Sequence, residues 1–299
     1  MRGFLLYNGP KDNIEINLLL QEAKRESIEL SIVNPREISI ISSNHEKNLL
    51  INGEKNPLPD FVFSAFANDF IYQNQALVKQ LETMGVLCVN TIGAMLTSQD
   101  KLLTNQLLAE TGIPVPKTML LSSMTTVEIV ESQFTYPVVL KALKGQKGSG
   151  VLLLHNRNEL KNILQLHKID TLNDEFILQE MIETSKGRDI RVMTFNYKAK
   201  CCVIRQAKSK EEFKSNFSLG GTTTPVELTP QIIEIAEKSA KKLGIFLAGI
   251  DLLFTDDGFM VCEANSMPGF RPSKGEIDWK VDVPATIFKS IKDALRSKK

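Results

Sequence analysis

Strand-like and helix-like patterns alternate along most of this chain, and that alternation limits its fold more than any other feature. Residues 3–8 and Leu30 to Asn34 are short apolar runs of strand length, while Glu15 to Glu26 between them spaces its apolar positions as an amphipathic helix. Pro35 stops the second run. The cycle repeats with a strand at Asp60 to Ala65, a helix from Gln75 to Met84 ended by Gly85, and a strand at Val86 to Asn90. Parallel strands need crossovers of this kind, so the first ~90 residues predict a small parallel-sheet domain.

A helix follows from about Ser98 to Thr111, closed by Gly112 and Pro114. From there the strands shorten and hairpins appear. Tyr136 to Lys141 and Val151 to His155 flank a glycine-bearing loop, with a helix from Asn158 to His167 behind them. Strands at Phe176 to Ile182, Arg188 to Asn196 and Lys200 to Gln206 lead to a helix from Thr229 to Leu243, a hairpin and a last helix from Val283 to Arg296. The expectation is an α/β protein in three units: a parallel-sheet domain over 1–94, a central lobe over 95–175 and a C-terminal lobe over 176–299.

Composition sets outer bounds. A hydrophobic content of 42% with 24% charged residues describes a soluble globular chain with a substantial core. With 36 Lys and Arg against 35 Asp and Glu there is no global field to draw in nucleic acid or an acidic membrane, and neither is expected as a partner. Cys88, Cys201, Cys202 and Cys262 lack metal-ligand spacing and predict reduced, mostly buried thiols. The apolar run after Met1 is too short for a signal peptide and no stretch approaches a membrane span, so cytoplasmic residence is expected. A homo-oligomer is compatible with all of this.

The hairpin carries the first chemical signal. Ala248 to Thr255 and Phe259 to Asn265 are β-prone, and Asp256-Asp257-Gly258 is turn chemistry. A type I turn closed by Gly258 pairs Thr255 with Phe259 and sets Asp251 opposite Glu263, with Asn265 two residues along the same face. Leu252, Phe254, Met260 and Cys262 then fill the other face. Facing carboxylates repel unless a cation lies between them, and Mg²⁺ takes one or two carboxylates with substrate phosphates completing its shell. The plain alternative is a solvated polar hairpin face.

The second signal is the loop Lys141-Ala-Leu-Lys-Gly-Gln-Lys-Gly-Ser-Gly150. Three glycines let backbone amides approach phosphate oxygens and three lysines supply countercharge. A strand follows it, so it is neither a Walker loop nor a dinucleotide fingerprint. A mobile, hydrated connection fits equally well. Glu180 sits inside an apolar strand, Asp189 and Arg191 share a strand face, and Arg205 ends the strand after Cys201-Cys202. Asp can bind ribose hydroxyls and Arg suits carboxylate or phosphate oxygens, while cross-strand ion pairing would account for the same residues. Further on, Asn216 and Gly220-Gly221 could contact phosphate or simply shape a surface turn.

In order, Lys101, the Pro-Val-Val-Leu-Lys141 strand, Gln179-Glu180-Met181-Ile182, Gly187-Arg-Asp-Ile-Arg191, Lys214-Ser-Asn216 with Gly-Gly, Asp251, and Glu263-Ala-Asn265 with Pro268-Gly269 resemble the ATP-grasp ligases. The similarity is greatest to the RimK-like branch, which joins glutamate or a similar amino acid to a carboxylate-bearing substrate. It covers roughly residues 1–296, with specific motifs from about 98 to 272. The resemblance implies an ATP-grasp fold whose two α+β lobes clamp ATP behind a small parallel-sheet domain. It implies ATP as cofactor with two Mg²⁺ ions, Mn²⁺ being an alternative, and a carboxylate and an amine, with glutamate as a candidate, as partners. Lys101 and Lys141 would meet the phosphates, and Gly148, Ser149 and Gly150 would close over them. Gln179, Glu180, Met181 and Ile182 would line the adenine, with Glu180 and Asp189 as the adenine and ribose contacts. Asp251, Glu263 and Asn265 would hold the metals. Arg191, Arg205 and Asn216 would steady the transferred phosphoryl group. The implied reaction forms an amide through an acyl-phosphate.

Departures bear on the second substrate. Many RimK-like enzymes carry an Arg at the places matched here by Ala65 and Leu219, and the stretch Met267 to Lys280 also differs from the usual run. Arg271 and Lys274 are the candidates there for binding a substrate carboxylate, against a plain surface loop. Two other functions fit the same scaffold: an ATP-grasp kinase acting on a small polyol, and a non-catalytic ATP-binding module. A kinase for polyanions should show a dense basic cleft, and a binding module need not keep all three metal ligands.

Overall fold

The computed structural model describes residues 1–65, 72–143, 150–167, 175–209, 212–213, 221–271 and 277–297. Its opening unit runs β1 (Arg2–Leu6), α1 (Ile14–Arg25), β2 (Glu29–Val33), β3 (Ile38–Ser42), β4 (Lys47–Ile51), β5 (Glu54–Lys55), β6 (Phe61–Ser64), α2 (Tyr72–Thr83) and β7 (Leu87–Val89). Asn13 starts α1 by accepting the Ile16 N–H at 3.1 Å, and the helix buries Ile16, Leu19 and Ala23 on one side. The parallel sheet has the order β2-β1-β6-β7. Winding reverses between β1 and β6, which opens a crevice at their carboxyl ends. The small antiparallel sheet β3-β4-β5 was not foreseen. Its Ile38-Ser-Ile-Ile-Ser42 run is β-prone, and Asn52-Gly53, with φ of 52° and 82°, makes its tight turn.

The single helix expected from Ser98 is two helices, α3 (Ile92–Gln99) and α4 (Lys101–Glu110). Asp100 breaks them apart because its carboxylate caps the second, accepting the Leu103 N–H at 2.9 Å. Lys101 is thereby placed at the first position of α4.

The central lobe comprises β8 (Thr118–Leu120), α5 (Val127–Glu131), β9 (Val138–Ala142), β10 (Val151–Leu154), α6 (Arg157–His167) and β11 (Phe176–Glu180). Its antiparallel sheet runs β10-β9-β11-β8. Val138, Leu140, Leu154 and Leu178 pack with Val130 of α5 and Leu160 and Leu164 of α6. Side chains alternate along a strand, so Val139, Lys141 and Gln179 point the opposite way.

The last unit contains β12 (Arg188–Phe195), β13 (Lys198–Gln206), β14 (Thr222–Val226), α7 (Pro230–Lys242), β15 (Leu247–Thr255), β16 (Gly258–Asn265) and α8 (Val283–Ser297). Its antiparallel sheet has the order β14-β13-β12-β15-β16. One face, with Ile190, Val192, Ile250, Leu252, Val261 and Ala264, packs on Ile232, Ala236 and Ala240 of α7. The opposite face is divided. Met193, Phe195, Cys201 and Val203 join Leu5, Phe61 and Phe63 of the parallel sheet and Phe288 of α8 in one shared core. The rest of that face is polar. Phe288 is buried and meets Phe61 edge-on at 6.2 Å between ring centroids. Phe288→Ala is expected to cost about 3–5 kcal/mol in a urea titration, since the cavity opens where the first and last units meet. No helix among the described residues is long and apolar enough to cross a membrane.

The hairpin corrects one expectation. Asp256 and Asp257 form a two-residue loop, so Thr255 pairs with Gly258 rather than Phe259. A β-bulge between Leu252 and Asp251 then inserts Cys262 as an extra residue and restores the pairing of Asp251 with Glu263. The core face is therefore Leu252, Phe254, Phe259 and Val261, and Met260 and Cys262 do not belong to it. Gly258 takes a φ of +147°, a backbone conformation that L side chains rarely adopt, which favours glycine at this tight closure.

Candidate active site

The polar part of the C-terminal sheet is built in rungs. Arg205 of β13 pairs with Asp189 of β12, and on the next rung Arg191 of β12 pairs with Asp251 of β15, which pairs with Glu263 of β16. Asn265 and Gly249 share the third rung. Opposite charges on neighbouring strands can meet directly here. Arg205 grips Asp189 with two bonds of 2.7 and 2.6 Å and reaches Asp251 at 2.8 Å. Arg191 also holds Asp251 through two nitrogens, Nη2 at 2.7 Å and Nε closer still. A Cβ at Gly249 would lie 2.9 Å from Arg191 Cδ, so glycine makes room for that side chain.

These groups are deeply buried, with Asp251 at 3%, Asp189 at 5% and Arg205 at 8% exposure. Burial alone would push the Asp251 carboxyl up, yet the charges and hydrogen bonds of Arg191 and Arg205 hold it below the ordinary carboxylate value. For Arg205 burial acts to lower the pKa, and the two aspartates overcome it and raise the value. A depressed folded-state pKa stabilises the fold above the unfolded carboxyl value of about 3.9, and that contribution is lost as pH falls through the folded value. Acid unfolding followed by circular dichroism should therefore show a fall in stability below about pH 4 that flattens in Asp251→Asn.

The central lobe supplies the opposing charges. Lys141 Nζ donates to Gln179 Oε1 at 2.5 Å and lies 3.6 Å from Cys262 Sγ, which brings β9 against the bulge of β16. Gln179 is itself fixed by donating to Thr118 Oγ1 at 2.9 Å. Lys101 reaches the Leu143 carbonyl at 3.4 Å. Burial lowers the Lys101 pKa, the nearby Lys141 charge lowers it further and Glu263 counteracts both. Burial also raises the Cys262 thiol against the pull of Lys141, so it stays protonated at neutral pH.

Lys101 and Lys141 thus lie near Glu263, and the β9 face that carries Lys141 and Gln179 meets β16 at Cys262. Arg191, Arg205, Asp189 and Asn265 lie on the same sheet face as Asp251. Glu180 is less central: its Oε1 accepts the Lys117 backbone N–H at 2.7 Å. Met181 and Ile182 are half-buried in the connection after β11. Asp189, expected at the ribose, has both oxygens engaged by Arg205. Gly150 closes the β9–β10 connection with φ of +72°, where a Cβ would lie 2.9 Å from the Ala142 side chain. Gly148, Ser149, Asn216, Lys274, Lys214, Leu219 and Gly220 lie outside the described residues. Arg271 is half-buried just beyond β16. Cys262 was missed as a site residue because an apolar strand suggests a core thiol, and only the bulge turns it toward Lys141.

Among the described residues no three His, Cys, Asp or Glu side chains converge as a ready-made metal cage. The candidate donors are the Glu263 carboxylate and the Asn265 amide, while Asp251, expected with them, has both oxygens engaged by Arg191 and Arg205. Asn265 Nδ2 is buried without a hydrogen-bond partner, and a half-turn of the amide would put its oxygen in that position as a free ligand. That set fits a hard cation that arrives with phosphate oxygens.

A central-lobe sheet carrying Lys141, with Lys101 at the start of α4 beside it, set against an acid-and-arginine face of the C-terminal sheet is the arrangement of the ATP-grasp class. Residues 98–291 match the model of the RimK-like ATP-grasp domain, and residues 6–110 match the RimK PreATP-grasp domain. The chain belongs to the RimK-like ATP-grasp family, whose reaction is ATP-dependent amide-bond ligation. A probable alpha-L-glutamate ligase of Maridesulfovibrio salexigens is 33% identical over 256 residues, 85% of this chain and 84% of that one. Probable alpha-L-glutamate ligase 1 of Shewanella amazonensis is 31% identical over 299 residues, 100% of this chain and 97% of that one. The ATP-grasp ligase PsnB, solved with the precursor peptide PsnA2 and AMPPNP, shares the fold at a TM-score of 0.75 and 16% identity, covering 99% and 98% of the two chains.

Proposed function

We propose that this enzyme joins the amine of L-glutamate to a substrate carboxylate through an acyl-phosphate. The observation that carries the reading is the site where Lys101 and Lys141 meet Glu263 of β16, beside Asp251 on the neighbouring strand. It is rich in fixed charge, and its thiol is protonated. Phosphoryl transfer needs positioning and charge neutralisation more than a protein nucleophile.

In this reading Lys101 and Lys141 bind the ATP phosphates, with Gln179 aiming Lys141. Gly148, Ser149 and Gly150 cover the phosphates, and Glu180, Met181, Ile182 and Asp189 flank the nucleoside. Asp251, Glu263 and Asn265 would hold two Mg²⁺ ions, or Mn²⁺ in their place, which when bound neutralise phosphate charge. PsnB has been solved with Mg and ADP, which supports the metal. The substrate carboxylate attacks the γ-phosphorus and ADP leaves. Arg191 and Arg205, their charge already shared with Asp251 and Asp189, would offer the transferred group the guanidinium N–H donors that those carboxylates leave over, together with Asn216. The amine then attacks the acyl carbon and phosphate departs. The two arginines are already neutralised by Asp189 and Asp251, which argues against the dense basic cleft that a polyol-phosphate kinase would need.

L-Glutamate offers both a carboxylate and an amine, so it is a minimal substrate pair. ATP, Mg²⁺ and L-glutamate should yield equal ADP and phosphate with one amide per turnover. ADP with a phosphorylated product and no free phosphate would replace the ligase by a kinase.

The lysine assignment carries a separate expectation. Lys141→Met should weaken binding of AMPPNP by about 10-fold or more in calorimetry, since a half-buried cation proposed to face phosphate is lost. Unchanged affinity would remove Lys141 from the phosphate site.

A further inference from the structure

Glu15 is 255 residues from Phe270 in sequence, yet its Oε1 accepts the Phe270 N–H at 2.7 Å and the Arg271 N–H at 2.5 Å. An acid in the first turn of a helix ordinarily faces that helix's own free N–H groups. Here the carboxylate leaves α1 and takes backbone donors from the segment that follows β16. The Phe270 peptide is held on its other side too, because Trp279 Nε1 donates to the Phe270 carbonyl at 2.7 Å. Phe270 and Trp279 are both buried in the shared core. Nearer β16, Ser266 Oγ meets Ser98 Oγ at 2.8 Å and the Ser266 carbonyl accepts from Asn90. The backbone from Ser266 to Arg271 is therefore stitched to the preceding units at both ends.

We infer that Glu15 is a positioning residue: it fixes the backbone that carries Arg271, so that the parallel-sheet unit sets where a substrate carboxylate is held. The inference rests on the reading of Arg271 as a carboxylate-binding residue. Geometry supports it beyond the two bonds. α1 begins at the carboxyl end of β1, beside the crevice where the winding of the parallel sheet reverses, so one helix start borders the crevice and holds the Arg271 peptide. Two bonds to a half-buried carboxylate are strong enough to define a peptide's place. A side chain shifted by an ångström at a reacting centre can lose a hundredfold in rate, so such a brace has kinetic consequences. Because Glu15 touches the Arg271 backbone rather than substrate, it acts on the substrate carboxylate and leaves the ATP site alone.

The test compares wild type, Glu15→Ala and Glu15→Gln in two measurements. Hydrogen exchange reads the Phe270 and Arg271 amides directly, and steady-state kinetics give KM for L-glutamate and for ATP separately. Glu15→Ala should speed exchange in the 266–271 peptide and raise the glutamate KM by roughly 10-fold, with the ATP KM within about twofold. Glu15→Gln keeps an oxygen in place and should recover most of both effects. An Ala variant with unchanged exchange, or with both KM values raised together, would overturn the inference. Wild type inactive with glutamate would end the proposed function, and exchange would still decide whether Glu15 braces the segment. Arg271→Ala with an unchanged glutamate KM would overturn the link to substrate alone.

Discussion

Glu263→Gln should lose at least about 100-fold in kcat while its melting temperature stays within a few degrees of wild type. The substitution preserves shape and removes one charge. Glu263 lies at the open end of a rung, next to Asp251, whose own charge is already satisfied by two arginines. Glu263 is thus the carboxylate on this face best placed to meet a cation, and losing its charge should fall on the reacting state rather than on the fold. KM for ATP should change far less than kcat if the cation matters most in the transition state. Turnover rates across a Mg²⁺ series would check this, and an unaltered kcat would remove Glu263 from the site.

Arg205→Met should have the opposite signature, with large losses in both stability and turnover. Arg205 is the shared partner of Asp189 and Asp251, three groups that lie almost wholly out of water. Removing one member of a buried ion pair leaves the other uncompensated, at a cost of about 3–5 kcal/mol. Two aspartates are stranded here, so the effect should lie at the upper end. Arg191→Met should cost less, because Arg205 still holds Asp251. A denaturant titration of both variants separates these cases, and equal stabilities would mean that the four groups do not act as a network.

The elements were legible where periodicity is a property of the segment itself. β1, α1, β2, α7, β15 and α8 fall close to the expected residues because their apolar spacing is decided locally. The small sheet from Ile38 to Lys55 escaped notice because its strands are short and leave much of their length exposed. The break at Asp100 was missed because a helix-capping acid looks like an ordinary surface residue until the chain bends there. In the site, Asp251 opposite Glu263 was expected from a turn that does not form, and the bulge at Cys262 supplies the missing residue. Bulges arise from packing between strands, and no single strand announces one. Asp189 with Arg205, and Arg191 with Asp251, were open in the sequence between substrate contacts and ion pairs, and the cross-strand register brings them together as ion pairs on the face proposed to meet the substrate. Glu15 was invisible for a different reason. Its partners are backbone groups from the far end of the chain, and backbone leaves no trace in residue identity.

The most direct measurement follows an oxygen atom. L-Glutamate labelled with ¹⁸O in its carboxylates is incubated with the enzyme, ATP and Mg²⁺, and the released phosphate is analysed by mass spectrometry. Attack of a carboxylate on the γ-phosphorus and later loss of phosphate from the acyl carbon carries one ¹⁸O into each phosphate. Phosphate formed together with the amide but free of label would contradict the acyl-phosphate route.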